Sequence, residues 1–589
     1  MRNDVAKRRT NSMLRDHPAL CVVLVLLTGL RVVLAHKTPL ISSMAPAYDD
    51  RLLVQYASNI VQGNWLGAYN VLTLTKNPGY ALFIAACHGL HVRYQLAYIL
   101  LYIAACAVCC TAIRPLVPSR VVRSWLYVAL MYAPAFLTLD YFQRMYRMGI
   151  VLPLTMLVFS AYIGLYLRRA ETLPRIVPWS VCAGLGMAGL WICTESAMWV
   201  LPFVAVCSLV VLVGRIAACA NERRGVAWMC AWVALLALPM ALLVSSTVAV
   251  RATNQRSYGV SLLNDRYQGG FSRASAAIMS IDTGNELELV WLPTSALELA
   301  MQNSATLRSE RESIMNAWDA RREEFAQKEI TGDLSYWTLR QGYADAGGYQ
   351  DARKTDAFWN AVADEVEQAY STGKLRRRSG LYISAAANPI PWDGVTTHIE
   401  DSLKWMLDLC THTTMSNQII AASSEPAAGT GTLEDQELAL TLAGGNVLMG
   451  TPPEDETTEA EQKNTVVNTE ILRKDAIFLN IDHILGVIGV RVGAVLALCL
   501  LVVAPVLAIV LLVKRDKSRL EFLLVLAGLL LSAFVLVFSV TWAMDFAWAG
   551  SETMHQWAIF SYSAPFYALL MMTECIVYGK AIACITLRR

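Results

Sequence analysis

The chain has 589 residues, 55% of them hydrophobic and only 16% charged, with a mean hydropathy of +0.41. Soluble domains carry about 25% charged residues, so this composition excludes a disordered chain, a collagen-like fibre and a disulfide scaffold, and leaves a polytopic membrane protein. The formal net charge of +2 hides a division, because residues 251–482 hold 20 Lys and Arg against 34 Asp and Glu, while the other 357 hold 29 against 13.

A basic membrane part with an acidic insert is the pattern expected of a positive inner side and a water-filled outer side. The basic residues are spread over short loops, which gives no footprint for nucleic acid. Of 14 Cys, only Cys410 falls in the acidic block, so that block has no internal disulfide and needs its own core. Cys106, Cys109 and Cys110 read as small residues within an apolar helix.

A basic N-terminal stretch precedes an apolar run at 19–35, read as an uncleaved signal anchor that leaves the N-terminus cytoplasmic. Further apolar runs lie near 95–113, 124–139, 148–167, 177–193, 197–214, 226–250, 486–513, 520–543 and 560–580. A bilayer core needs about 20 helical residues. The run 79–91 reaches only about 20 Å and is expected to re-enter or lie at the interface. Basic clusters at Lys7–Arg15, Arg114–Arg123, Arg168–Arg175, Arg215–Arg224, Lys514–Arg519 and Arg588–Arg589 then all fall on one side with ten full spans. An eleventh span results if 79–91 crosses.

The first outer loop, 36–78, opens with Tyr48-Asp49-Asp50-Arg51, continues through Gly63-Asn64-Trp65 and Tyr69, and closes with Lys76-Asn77-Pro78-Gly79-Tyr80. Adjacent carboxylates suit a general base or a metal ligand, because each raises the other's pKa, but they equally suit a helix N-cap. The second turn carries Arg144 and Arg147, three apart and on the side expected to be outer, where guanidinium groups bind lipid phosphate or contact headgroups. The third turn carries Glu195, either a salt-bridge partner of those Arg or a functional acid. Arg491 lies just inside the span after the acidic block, and Glu574 is an intramembrane acid without an evident partner in sequence. His88 and His91 are three apart with no third metal ligand nearby.

Within the acidic block, 304–329 and 351–372 read as helices, and 422–465 as a mainly flexible stretch with a short helix at 436–449. No repeat of fixed period appears.

These motifs, in this order, resemble the integral-membrane GT-C glycosyltransferases, closest to the bacterial branch related to protein O-mannosyltransferases. The resemblance rests on the Asp49-Asp50 opening, the Gly63-Asn64-Trp65 and Lys76-Asn77-Pro78-Gly79-Tyr80 segments, and Arg144 and Arg147 before Pro153-Leu154. It rests also on Thr194-Glu195 through Trp199 and Pro202, on Asn254, Arg256, Tyr258 and Gly259, and on Tyr562, Pro565 and Tyr567. It covers most of 18–275 and the last span. The third turn departs from the family's pattern, having one acid where a second is common.

The resemblance implies a GT-C-like α-helical polytopic fold of about 10–11 transmembrane helices. The apolar runs and the charge division set its parts as an N-terminal membrane module over 1–250, a mainly helical extracytoplasmic domain over 251–482, and C-terminal membrane helices over 483–589. The resemblance implies a transferase that moves sugar from a polyprenyl-phosphate donor to a glycan, lipid or protein acceptor on the extracytoplasmic face of the plasma membrane, with inversion and with both termini cytoplasmic. Asp49 maps to the base or metal ligand, with Asp50 beside it. Lys76, Arg144, Arg147 and Arg491 would face the donor phosphate, and Tyr48, Trp65, Tyr69 and Glu195 the substrates. Asp49 and Glu195 are the candidate ligands should Mg²⁺ or Mn²⁺ be used. Two other classes fit the sequence, a flippase or transporter of a lipid-linked glycan and a non-catalytic envelope assembly protein.

Overall fold

A computed structural model of the chain describes residues 17–44, 49–195, 197–284, 287, 289–384, 388–425, 427–450, 458–513, 517–547 and 551–586. Among these residues nine helices are long and apolar enough to cross a bilayer: Pro18–Lys37, Tyr94–Ala112, Met148–Leu167, Leu173–Cys193, Ala197–Asn221, Val226–Tyr258, Asn464–Val513, Ser518–Asp545 and Ala564–Cys584. The chain is therefore an α-helical multi-pass membrane protein. Met148–Leu167 is apolar on every side and correspondingly buried on every side, which makes it the centre of the bundle.

The expected span at 124–139 is not one helix. Helix Arg120–Met131 has 12 residues and rises about 18 Å, short of a roughly 30 Å core. Pro134, which has no N–H to give, opens a 3-10 turn at Pro134–Leu137, and a π-helical turn follows at Leu139–Gln143. Arg31 holds the broken piece. It is fully buried, donates to the carbonyls of Met131 (3.3 Å) and Phe136 (2.7 Å), stacks over Phe142 and lies 3.9 Å from Asp482. The crossing is completed in pieces. Arg168 donates to the Ala112 carbonyl, which places those two at one end of the bundle, and Arg144 meets Asp50 at the other.

The short apolar helix Gly79–Gly89 stays at the Asp50 end. Tyr80 and Tyr94 hydroxyls lie 2.9 Å apart, and Arg93 contacts His36 at the end of the opening helix, so the chain enters and leaves on one side. Gly79 is required there because a Cβ would come within 2.5 Å of the Ile192 carbonyl oxygen.

The acidic block divides in two. Helices Gly269–Met279, Thr294–Asn303, Ala305–Ser309, Arg311–Glu324, Leu334–Asp345 and Ala352–Ser371 enclose a second apolar core around Trp318 and Trp359. The helix expected at 304–329 is thus split at Glu310. Beyond residue 388 the chain lies on the membrane helices instead. The stretch expected to be flexible is largely ordered in what is described: Leu433–Ala443 is a helix, and Val447 and Leu448 pair in parallel with Leu40 and Ile41. Residues 451–457 of that stretch lie outside the described residues. The boundaries expected at 250 and 482 fall inside the continuous helices Val226–Tyr258 and Thr458–Val513. Gly259, in the left-handed region at φ +81°, ends the first of these.

Candidate functional site

Three turns converge at one end of the bundle. The helix Asp49–Val61 begins with the two carboxylates. The Lys76-Asn77-Pro78-Gly79 turn docks on the third turn through Asn77, whose N–H donates to Glu195 Oε1 (2.9 Å) and whose amide donates to the Trp191 carbonyl (3.0 Å). The close approach at Gly79 permits this docking. The second turn is set by backbone pairing, since the Met145 N–H donates to the Ile41 carbonyl (2.9 Å) beside the Leu40–Ile41 strand.

The charged side chains form one network. Asp49 Oδ2 lies 2.7 Å from Lys76 Nζ, 3.7 Å from Arg147 Nη2 and 3.3 Å from the Tyr146 hydroxyl, which in turn lies 3.2 Å from the Tyr562 hydroxyl. Arg144 grips Asp50 with two bonds, Nε to Oδ1 (2.8 Å) and Nη2 to Oδ2 (2.6 Å), and donates to Asp140 at 2.9 Å. Arg147 is paired with Glu195. The Asp49 side chain keeps 22% of its surface exposed, whereas those of Asp50, Asp140 and Glu195 keep 5% or less.

Burial alone would raise the Asp49 pKa, but the Lys76 ammonium and Arg147 guanidinium outweigh it and hold the carboxyl well below the usual range. Burial pushes Asp50 up to about 6 in spite of Arg144, with help from Asp49 and Asp140. For Glu195, Arg147 and Lys76 again outweigh burial and lower its pKa. Burial also lowers the pKa of the Lys76 ammonium.

Asp49, Asp50, Lys76, Arg144, Arg147 and Glu195 are thus brought together, from positions expected by sequence. Asp50 was expected as a second reactive carboxylate. It is fully buried and paired with Arg144, which ties the second turn to the first helix. Trp65 donates from Nε1 to Asn254 Oδ1 (2.7 Å), and Tyr69 packs on Tyr258 and Tyr349. Both seat the loop on residues of the acidic block. Arg491 is exposed on Thr458–Val513 and has no part in these contacts. Tyr48 lies outside the described residues.

The residues do not fit a divalent metal. Asp49 and Glu195 each face cations, and no group of three His, Cys, Asp or Glu is placed to hold an ion among the described residues. Asp140, Tyr146 and Arg266 join the site without having been expected. Asp140 carries a sequence signal, its i, i+4 spacing to Arg144. Arg266 comes from the acidic block, stacks over Tyr336 and Trp337, lies 3.6 Å from Asp333 and adds its field to Asp49, which no local pattern reveals. It is seated there because Asn264 donates to the Asn77 side-chain oxygen (2.6 Å) and the Asp265 N–H to the Leu74 carbonyl (2.8 Å). Buried Arg147 Nε and Arg266 Nε make no hydrogen bond among the described residues, which leaves two donors at the site unused.

Comparison with protein-family models, with curated proteins and with solved structures finds no match to this chain.

Proposed function

We propose that the chain is a glycosyltransferase that uses a polyprenyl-phosphate-linked sugar and transfers it to an acceptor hydroxyl at the Asp49 end of the bundle. The observation that carries this reading is Asp49, the exposed acid of the network, standing beside cations that still hold unused donors on Arg147 and Arg266. The lipid phosphate would take those donors and draw Lys76 away from Asp49. Losing that ammonium raises the proton affinity of Asp49 and turns a poor base into a competent one. The acceptor oxygen then forms a bond to the anomeric carbon, the bond from that carbon to phosphate breaks, the hydroxyl proton passes to Asp49, and the leaving phosphate is stabilised by Lys76, Arg147 and Arg266. A single displacement inverts the anomeric centre. No metal step is needed.

A second reading, a non-catalytic assembly protein, is favoured by the completeness of the pairing, since each of Asp49, Asp50, Asp140 and Glu195 already has a cation. Mass spectrometry of cell-surface glycans and glycoproteins with and without the chain tests the proposal. Loss of one glycan class supports the transferase, and an unchanged profile defeats it.

A further inference from the structure

Helix Val395–Thr411 was expected to lie in a water-exposed domain, and its surroundings are different. Its N-terminal part packs on Lys517–Ala547, where His398 contacts the Phe538 carbonyl (2.9 Å) and Ser402 the Thr541 hydroxyl (3.1 Å). Farther along, Trp405 packs on His555 of helix Glu552–Tyr562. Just past its end, His412 lies on Tyr567 and against Gly493. The helix, about 25 Å long, therefore runs across the ends of successive apolar helices rather than along one of them.

Its surface has three faces. His398, Ser402 and Leu409 are buried against the bundle. Glu400, Asp401 and Lys404 form a polar face, with Lys404 2.8 Å from Asp401. Ile399, Leu403 and Leu407 form a third, four residues apart and so on one side of the helix. They are 36%, 51% and 51% exposed. Trp392, just before the helix, is 62% exposed. A stripe of this kind, continuous with helices that cross the bilayer, matches an interfacial amphipathic helix.

We propose that Val395–Thr411 lies in the membrane surface at the Asp49 end, with Ile399, Leu403 and Leu407 in the acyl chains and Glu400, Asp401 and Lys404 in water. The occupant of the apolar stripe is lipid. On the polar flank Lys404 is paired with Asp401, so no unpaired cation is offered to an anionic headgroup, and the contact is apolar and independent of lipid charge. Through Trp405 and His555 the helix braces Glu552–Tyr562, which carries Tyr562 to Tyr146 and Asp49. The inference stands on packing and exposure and does not depend on the transferase reading.

The test places the photoreactive amino acid p-benzoylphenylalanine singly at Leu403, Leu407, Glu400 and Lys404 of the full chain in phosphatidylcholine nanodiscs. Val495, 59% exposed on the spanning part of Thr458–Val513, is the positive control and confirms that each preparation is folded and embedded. Lipid adducts read by mass spectrometry are expected at positions 403 and 407, several-fold above those at 400 and 404, and unchanged when phosphatidylglycerol is added. Equal yields on the two faces, adducts to a second copy of the chain in place of lipid, or yields that rise with phosphatidylglycerol would each overturn the proposal.

Discussion

Asp50→Ala removes one side of the best-defined ion pair at the site. Arg144 would lose two charge-assisted hydrogen bonds, of 2.8 and 2.6 Å, in a place with no exposed surface on Asp50. Each such bond is worth about 1.5–3 kcal/mol, and stranding one partner of a buried pair costs about 3–5 kcal/mol. Asp140 remains on Nη1 at 2.9 Å and keeps part of the charge compensated, which puts the loss at the lower end, about 3–4 kcal/mol. At roughly 2 °C per kcal/mol for a large chain, the apparent Tm falls by about 6–8 °C. Asp50→Asn keeps one acceptor for the guanidinium and should recover about half of that loss. Membrane proteins of this size unfold irreversibly, so the assay is the fraction surviving heating in detergent at a fixed rate, read by size-exclusion chromatography. A fall of less than about 1 °C for Asp50→Ala would show that Arg144 does not depend on Asp50.

The other predictions concern how the loop is seated and how the site responds to pH. Arg340, fully buried, donates to Asp265 (2.9 Å) and to the Val71 carbonyl (2.6 Å), and so ties the second core to the first loop. Arg340→Ala should release residues 260–382 to limited proteolysis while the spanning helices stay protected, and an unchanged cleavage pattern would count against that tie. Gly79→Val should lower folded yield severely, because even a Cβ would meet the Ile192 carbonyl at 2.5 Å; wild-type yield would contradict the close approach. Glu195 has a lowered pKa in the fold, so its stabilisation is present above its unfolded value of 4.5 and is lost as pH falls below that. The Tm difference between the wild type and Glu195→Gln should therefore be largest at neutral pH and shrink below about pH 4.5. A difference that stays constant to pH 3 would contradict the ion pair with Arg147.

The spans were legible because hydropathy over about 20 residues reports directly on a 30 Å core. Asp49 and Lys76 were legible as charges at the two ends of the first outer loop, and Arg144, Arg147 and Glu195 as charges in short turns between apolar runs. Arg120–Met131 followed by Pro134 was misread as one span because the hydropathy window averages over the break, and the carbonyls it frees are taken up by Arg31, far away in sequence. The contacts of Trp65 with Asn254 and of Tyr69 with Tyr258 and Tyr349 were not legible, because those partners lie far away in sequence and only the fold supplies them. The pairing of Leu40–Ile41 with Val447–Leu448 was hidden for a similar reason, since a two-residue parallel strand leaves no periodic signature. Arg491 sits at the right depth in sequence but on an outward face of its helix.

In the proposed transfer Asp49, and not the buried carboxylates around it, takes the proton. The most direct measurement compares wild-type and Asp49→Asn protein in proteoliposomes supplied with radiolabelled polyprenyl-phosphate hexose and a membrane-derived acceptor fraction. Asn retains an acceptor for Lys76, so the fold should survive, and loss of a general base should slow transfer by about 10²–10⁴-fold. Transfer by Asp49→Asn at the wild-type rate would contradict the account.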